Sequence, residues 1–195
     1  MSTIPIFADE SWRLPSRGRV GMLSLIVGES AIFTIFVVAY IYYIGRDTYG
    51  PTPRQVLEIP IFNTICLLSS SFTIVMAEHA IKHGLIRRFA LWWALTMALG
   101  VEFIVGTAIE WRKLIFVDRF TVRTNLFGTT FYSLVGLHAT HVVIGLIGLS
   151  LVMLFTLTGR VNQGHAERIE VLALYWHFVD AVWVVVFTVV YIVGR

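Results

Sequence analysis

Tyr175-Trp-His-Phe-Val-Asp-Ala-Val-Trp183 lies inside the last long apolar run of the chain, Val171 to Val193. Residues three apart share a helical face, so His177 and Asp180 can come together on one side of a helix. The run around them is long enough to cross a bilayer. Ionisable groups at that depth are costly unless they face protein, water or a cofactor. This helix therefore needs a partner for its polar face.

The rest of the sequence supports a membrane setting. The 195 residues are 57% hydrophobic and only 14% charged, with a mean hydropathy of +0.78, which is a membrane protein's profile. The net charge of +3 does not mark a nucleic-acid binder, because the Lys and Arg residues are strung between apolar runs as interfacial anchors. A single cysteine, Cys66, excludes a disulfide framework and a Cys-x-x-Cys motif. The runs are too long and unbroken for transmembrane β-strands.

The prediction is an all-α, polytopic membrane protein: a five-transmembrane-helix bundle over 20–195, preceded by an interfacial segment at 1–19. Spans are expected at about 20–44, 59–81, 89–111, 127–157 and 170–193. Residues 1–19 lack the apolar core and cleavage site of a signal peptide. Gly45–Glu58 reads as a loop, with Gly50-Pro51-Thr52-Pro53 at its centre. A charged loop is expected from Arg112 to Arg123 and a polar one over Thr158–Arg168. Leu126–Thr158 holds no charged residue; at ~1.5 Å per residue it exceeds a ~30 Å hydrocarbon core, so it tilts or projects. Its Gly128, Gly136, Gly145 and Gly148 allow close helix packing. No internal repeat or domain linker interrupts the runs. Basic residues divide almost evenly between the two sides, with a slight inside excess for a cytoplasmic N-terminus.

His138 and His141 share a face of the fourth span and, with His177 and Asp180, could form one buried polar cluster between the fourth and fifth. One reading is a metal or haem site, since neutral imidazole is the commonest metal ligand; the other is interhelical hydrogen bonding that fixes the bundle. Two enzyme templates fit poorly. A membrane di-iron hydroxylase needs histidine boxes at the surface, where only His79-x-x-x-His83 has ligand spacing. A di-haem cytochrome b needs paired axial histidines, and His138 with His177 would supply one pair at most. Glu29, deep in the first span, reads either as part of a proton or substrate path or as a neutral carboxyl held by one hydrogen bond, because burial disfavours charge. Glu102 is read in the same way. Glu110 and Glu170 sit near span ends as interfacial or structural groups. Trp176 and Trp183, seven apart, form a packing stripe.

Taken with Gly136-Leu-His-Ala-Thr-His-Val-Val-Ile-Gly145, the stretch Tyr175–Trp183 resembles subunit III of the haem-copper terminal oxidases, the family of cytochrome c oxidase and quinol oxidase subunit III. The family pattern is Gly-Phe-His-x-x-His-Val-x-x-Gly followed by Tyr-Trp-His-Phe-Val-Asp-x-Val-Trp. Gly21-Met22 through Gly28-Glu29 is similar to its Gly-Met-x-x-Phe-x-x-Ser-Glu stretch, and Gly100–Trp111 to its segment ending in Glu-Tyr or Glu-Trp. The likeness runs from about Gly21 to Arg195. Gly28 replaces the family's Ser and Thr107 its usual Gln. Two further helices, which build a lipid-holding cleft in seven-helix members, have no counterpart in this sequence. Five helices resemble the shorter variant, as in quinol oxidase subunits and a homologue associated with nitric oxide reductase.

The resemblance implies a non-catalytic subunit of an energy-transducing membrane, a bacterial inner membrane for the short variant, with its N-terminus cytoplasmic and its C-terminus outside. Haem and copper would belong to partner subunits I and II, with no cofactor or metal in this chain. Subunit I would be the direct partner, with membrane lipids and bound phospholipid beside it and no nucleic acid. The role implied is support of proton uptake and protection of the active site during turnover. Outside this reading stand the equivalent subunit of a nitric oxide reductase system, a membrane metalloenzyme using His138, His141, His177 and Asp180, and a small transporter with Glu29 on its path.

Overall fold

The computed structural model describes residues 16–46 and 57–194. Five helices long and apolar enough to cross a membrane run through them, and no strand occurs among the described residues. They are α1 (Arg17–Tyr43), α2 (Ile61–Lys82), α3 (Ile86–Phe116), α4 (Leu126–Leu157) and α5 (Ala166–Phe187), the last continued by a π-helical turn over Thr188–Val193. The interfacial segment expected over 1–19 falls mostly outside the described residues. Ser16 caps α1 by accepting from the Arg19 amide, so Arg17–Arg19 already belong to the helix.

The connections follow local chemistry. Gly84 lies at φ 70°, a left-handed conformation that glycine adopts without Cβ strain, and lets α2 turn into α3 within three residues. Arg112 and Lys113, expected in a loop, instead extend α3 to Phe116; cations near a helix C-terminus complement its dipole. Asn125 caps α4, accepting from the Gly128 amide at 2.8 Å. At 32 residues and ~1.5 Å per residue, α4 outreaches the hydrocarbon core as anticipated. Asn162 and His165 form a capping box around a short 3₁₀ turn that leads into α5.

α5 packs against α1, α2 and α4, while α3 packs against α2 and α4, and α4 also against α1. Accordingly, α5 is the most buried span and α1 the least, with only Phe33 and Tyr40 of α1 buried. Trp176 supplies the centre. Its indole N–H donates to Ser70 Oγ of α2 at 2.8 Å. Its ring fills a slot between Gly100 of α3 and Gly145 of α4, where a Cβ on either glycine would come within 2.8 Å of it. Trp93 and Trp183 are equally buried and donate to Leu149 O at 2.9 Å and Thr64 Oγ1 at 3.2 Å. The glycines of α4 thus serve mainly as seats for side chains: Gly145 receives Trp176, Gly148 receives Leu172 and Gly136 receives Trp111.

Filling these seats overpacks the bundle, which typically costs about 1–3 kcal/mol. Gly100→Leu and Gly145→Leu should each lower the thermal unfolding midpoint of the detergent-purified chain. Gly28→Leu, at a position with open space around it, should leave that midpoint unchanged.

Candidate functional site: separate polar groups within the bundle

The four residues expected to form one cluster are distributed among three environments. His141 turns toward α1, where its Nε2 lies 3.1 Å from Glu29 Oε2. Its Nδ1 lies 2.8 Å from Leu137 O. A carbonyl can only accept, so Nδ1 carries a hydrogen. The Glu29–Nε2 contact then holds one proton, either as a carboxyl donating to neutral imidazole or as imidazolium donating to carboxylate. Phe33 packs on the imidazole at 5.0 Å between ring centres, and Tyr175 donates to His141 O at 3.2 Å. The pair is mostly shielded, with 10% and 23% side-chain exposure for His141 and Glu29.

His177 and Asp180 meet through Ser71 of α2. Ser71 Oγ donates to Asp180 Oδ2 and lies 3.2 Å from His177 Nδ1. A hydroxyl has one hydrogen to give, so the chain of donors runs from His177 through Ser71 to Asp180. Asp180 is buried, and its Oδ1 has no hydrogen-bond partner.

His138 joins neither group. It is fully buried, and neither ring nitrogen has a partner. Its ring stacks on Trp183 at 4.9 Å and meets the edge of Phe103 at 5.7 Å. The reason is angular. Three residues along a helix leave an offset of about 60°, enough to aim His141 at α1 while His138 enters the aromatic core.

Of the remaining carboxylates, Glu102 sits midway along α3 and Glu110 nearer its end. Glu102 and Glu110, with Glu58, line a recess of about 370 Å³ between α2 and α3. Glu102 Oε2 is shielded without a partner, and Glu110 accepts from Tyr191 at 3.2 Å. Glu58 pairs with Lys113 at the rim, and that ammonium holds the Glu58 carboxyl below its ordinary range. At the opposite end Glu170 pairs with Lys82 at 2.5 Å and Arg19 at 3.4 Å, tying α5 to α2 and α1. Trp176 and Trp183 are core residues with satisfied N–H groups. Among the described residues no group of three or more His, Cys, Asp or Glu is placed to hold a metal ion.

Sequence reasoning did not connect Ser71 with His177 and Asp180. Spacing within one helix carries no information about which neighbour stands opposite. The Glu29–His141 pair was missed for the same reason.

These features define a multi-span helical membrane protein whose intramembrane ionisable groups are held mainly by partners on other helices. A family model for cytochrome c oxidase subunit III matches residues 15–195. Cytochrome c oxidase subunit 3 of Bacillus sp. (strain PS3) is 31% identical over 196 residues, which cover 98% of this chain and 94% of that protein. The Synechocystis sp. protein of the same name is 36% identical over 186 residues, with coverages of 91% and 76%. That of Sus scrofa is 32% identical over 182 residues, with coverages of 89% and 68%. The chain belongs to the cytochrome c oxidase subunit III family.

The Ser71 bridge makes a direct prediction. Ser71→Ala leaves buried Asp180 Oδ2 without its donor, which typically costs about 1–3 kcal/mol. The unfolding midpoint should fall well below that of Ser69→Ala, a change at an exposed position on the same helix. Equal midpoints would show that the bridge contributes nothing.

Proposed function

We propose that the chain acts as the non-catalytic subunit III of a respiratory haem-copper oxidase, supporting proton uptake and stabilising the catalytic subunit during oxygen reduction. Family membership supports the oxidase reading over the nitric oxide reductase, metalloenzyme and transporter alternatives. Subunit I, which carries haem and copper in this reading, is the direct partner; subunit II and membrane lipids complete the setting. The membrane is an energy-transducing one, a bacterial inner membrane, with the N-terminus cytoplasmic and the C-terminus outside.

One observation carries the proton role: Glu29 and His141 share a proton site between α1 and α4 and retain some side-chain exposure. An intramembrane carboxyl beside an imidazole can accept and release a proton with little rearrangement, and such pairs mark proton relays in membrane proteins. α1 is also the least buried span, which leaves its outer face available to a neighbouring subunit.

Oxygen consumption by the complex with and without this chain, at equal haem content, tests the reading. The depleted complex should start at a comparable rate with an unaltered haem spectrum, then lose activity over successive turnovers, faster as pH rises and protons become scarcer. Glu29→Gln should slow turnover or lower proton pumping without impairing assembly. Immediate loss of all activity on depletion would indicate a catalytic part, and identical lifetimes would leave a scaffold. For orientation, reporters fused after Lys82, Arg119 and Arg160 should read inside, outside and inside.

A further inference from the structure

The recess of about 370 Å³ between α2 and α3 has a polar wall separate from the Glu29–His141 pair between α1 and α4. Glu102, Gly106 and Glu110 follow one another at intervals of four along α3, with Lys113 three further on, so all of them share one helical stripe. Gly106 is the hollow in that stripe. A Cβ there would collide with the Asn63 amide of α2, so glycine lets that amide lie close against α3, one turn from each carboxyl. Glu102 and Lys113 are ~16 Å apart along the helix, at ~1.5 Å per residue. The recess therefore runs from the Lys113–Glu58 pair at its rim well into the bundle.

Glu102, at the floor, is the carboxyl that the bundle answers least. Glu29 has His141, Asp180 has Ser71 and Glu110 has Tyr191. Glu102 Oε2 is shielded and has no hydrogen-bond partner among the described residues. The Cys66 thiol of α2 reaches the same carboxyl, but a thiol is a weak donor. A shielded polar atom without a partner is costly, and an acyl chain filling the recess would leave it in that condition. Water removes the cost. The recess has room for several molecules, each able to make about three hydrogen bonds, and Asn63 and Glu110 line the way to the rim.

We propose that this recess is an aqueous inlet, open at the C-terminal end of α3, that admits water and small cations as far as Glu102 and disfavours anions. Three carboxylates, Glu58, Glu102 and Glu110, share the lining with one ammonium, Lys113, and Glu58 already engages that ammonium. A cleft lined by one sign of charge within low-dielectric walls concentrates counter-ions. Ile59, Pro60 and Ile109 supply such walls. The inference goes beyond the oxidase reading and does not depend on it. It requires only that the bundle spans a bilayer. In the orientation proposed above, the inlet opens to the outside.

Cysteine accessibility in the membrane-embedded complex provides the test, with Cys66→Ala as background and modification of this chain read by mass spectrometry. A membrane-impermeant trimethylammonium methanethiosulfonate, added on the side of the α3 C-terminus, should modify Glu102→Cys several-fold faster than Val105→Cys. Val105 is nearer that end of α3 but is exposed outside the recess, so depth alone predicts the reverse order. Asn63→Cys against Phe62→Cys, an exposed neighbour outside the recess, repeats the comparison with every carboxylate in place. Asn63→Cys should also favour the cationic reagent over its sulfonate counterpart several-fold more than a small free thiol does. Adding Glu102→Gln and Glu110→Gln should abolish that excess, in variants that keep the parent's unfolding midpoint. Recess cysteines reacting no faster than Val105→Cys and Phe62→Cys would overturn the inlet in favour of a recess closed by lipid or a neighbouring subunit. A charge preference equal to that of the free thiol would overturn its selectivity for cations.

Discussion

The Trp176 indole sets the geometry of the whole bundle. In lipid the hydrophobic effect gives helices little reason to associate, because acyl chains are as apolar as leucine. Shape and hydrogen bonding must decide instead. Trp176 does both from one position on α5: its ring occupies the slot between Gly100 and Gly145, and its N–H reaches Ser70. One side chain therefore fixes the distances of α2, α3 and α4 from α5. An indole N–H left facing hydrocarbon would lack a partner altogether, so the Ser70 bond favours this rotation of α5 over its neighbours. Trp183 and Trp93 repeat the arrangement elsewhere in the bundle, through Thr64 and the Leu149 carbonyl.

The polar groups obey the same logic. Glu29 is answered by His141 across α1 and α4, Asp180 and His177 by Ser71 across α5 and α2, and Glu110 by Tyr191 across α3 and the end of α5. Each pairing links a different set of helices, so the ionisable groups act as separate ties distributed through the bundle. His138 stands apart from these ties. It is held by aromatic faces alone, and neither nitrogen is engaged.

The five helices were legible because apolar runs broken by Gly, Pro and charged residues report directly on what can enter a bilayer. The ends were less so: Arg112 and Lys113 read as loop residues by charge, yet they continue α3 because its carbonyl end favours cations. At the level of the site, sequence could place His138 and His141 on one helix and His177 and Asp180 on another. It could not say that the two histidines diverge, or that Ser71 rather than His138 completes the Asp180 group. Those facts depend on rotations set by Trp176 and its glycine slot. Periodicity within a helix is local; the choice of partner is not.

The sparse attachment of α1 bears on how the protein is made. Its described polar ties join it to residues far along the chain: Glu29 to His141, 112 positions on; Tyr40 to Val190, 150 positions on; and Arg19 to Glu170, 151 positions on. α1 must therefore wait in the bilayer until α4 and α5 arrive. Contacts so distant in sequence form late, because loop closure precedes any reward from pairing. During that interval the Glu29 carboxyl has no His141 beside it, and the nascent chain carries an unanswered polar group among lipids. Arrival of α5 and closure of the bundle thus become one event. A chain stopped before α5 would lack one of the two helices that join α1 to the rest, giving membrane quality control a physical mark by which to recognise it.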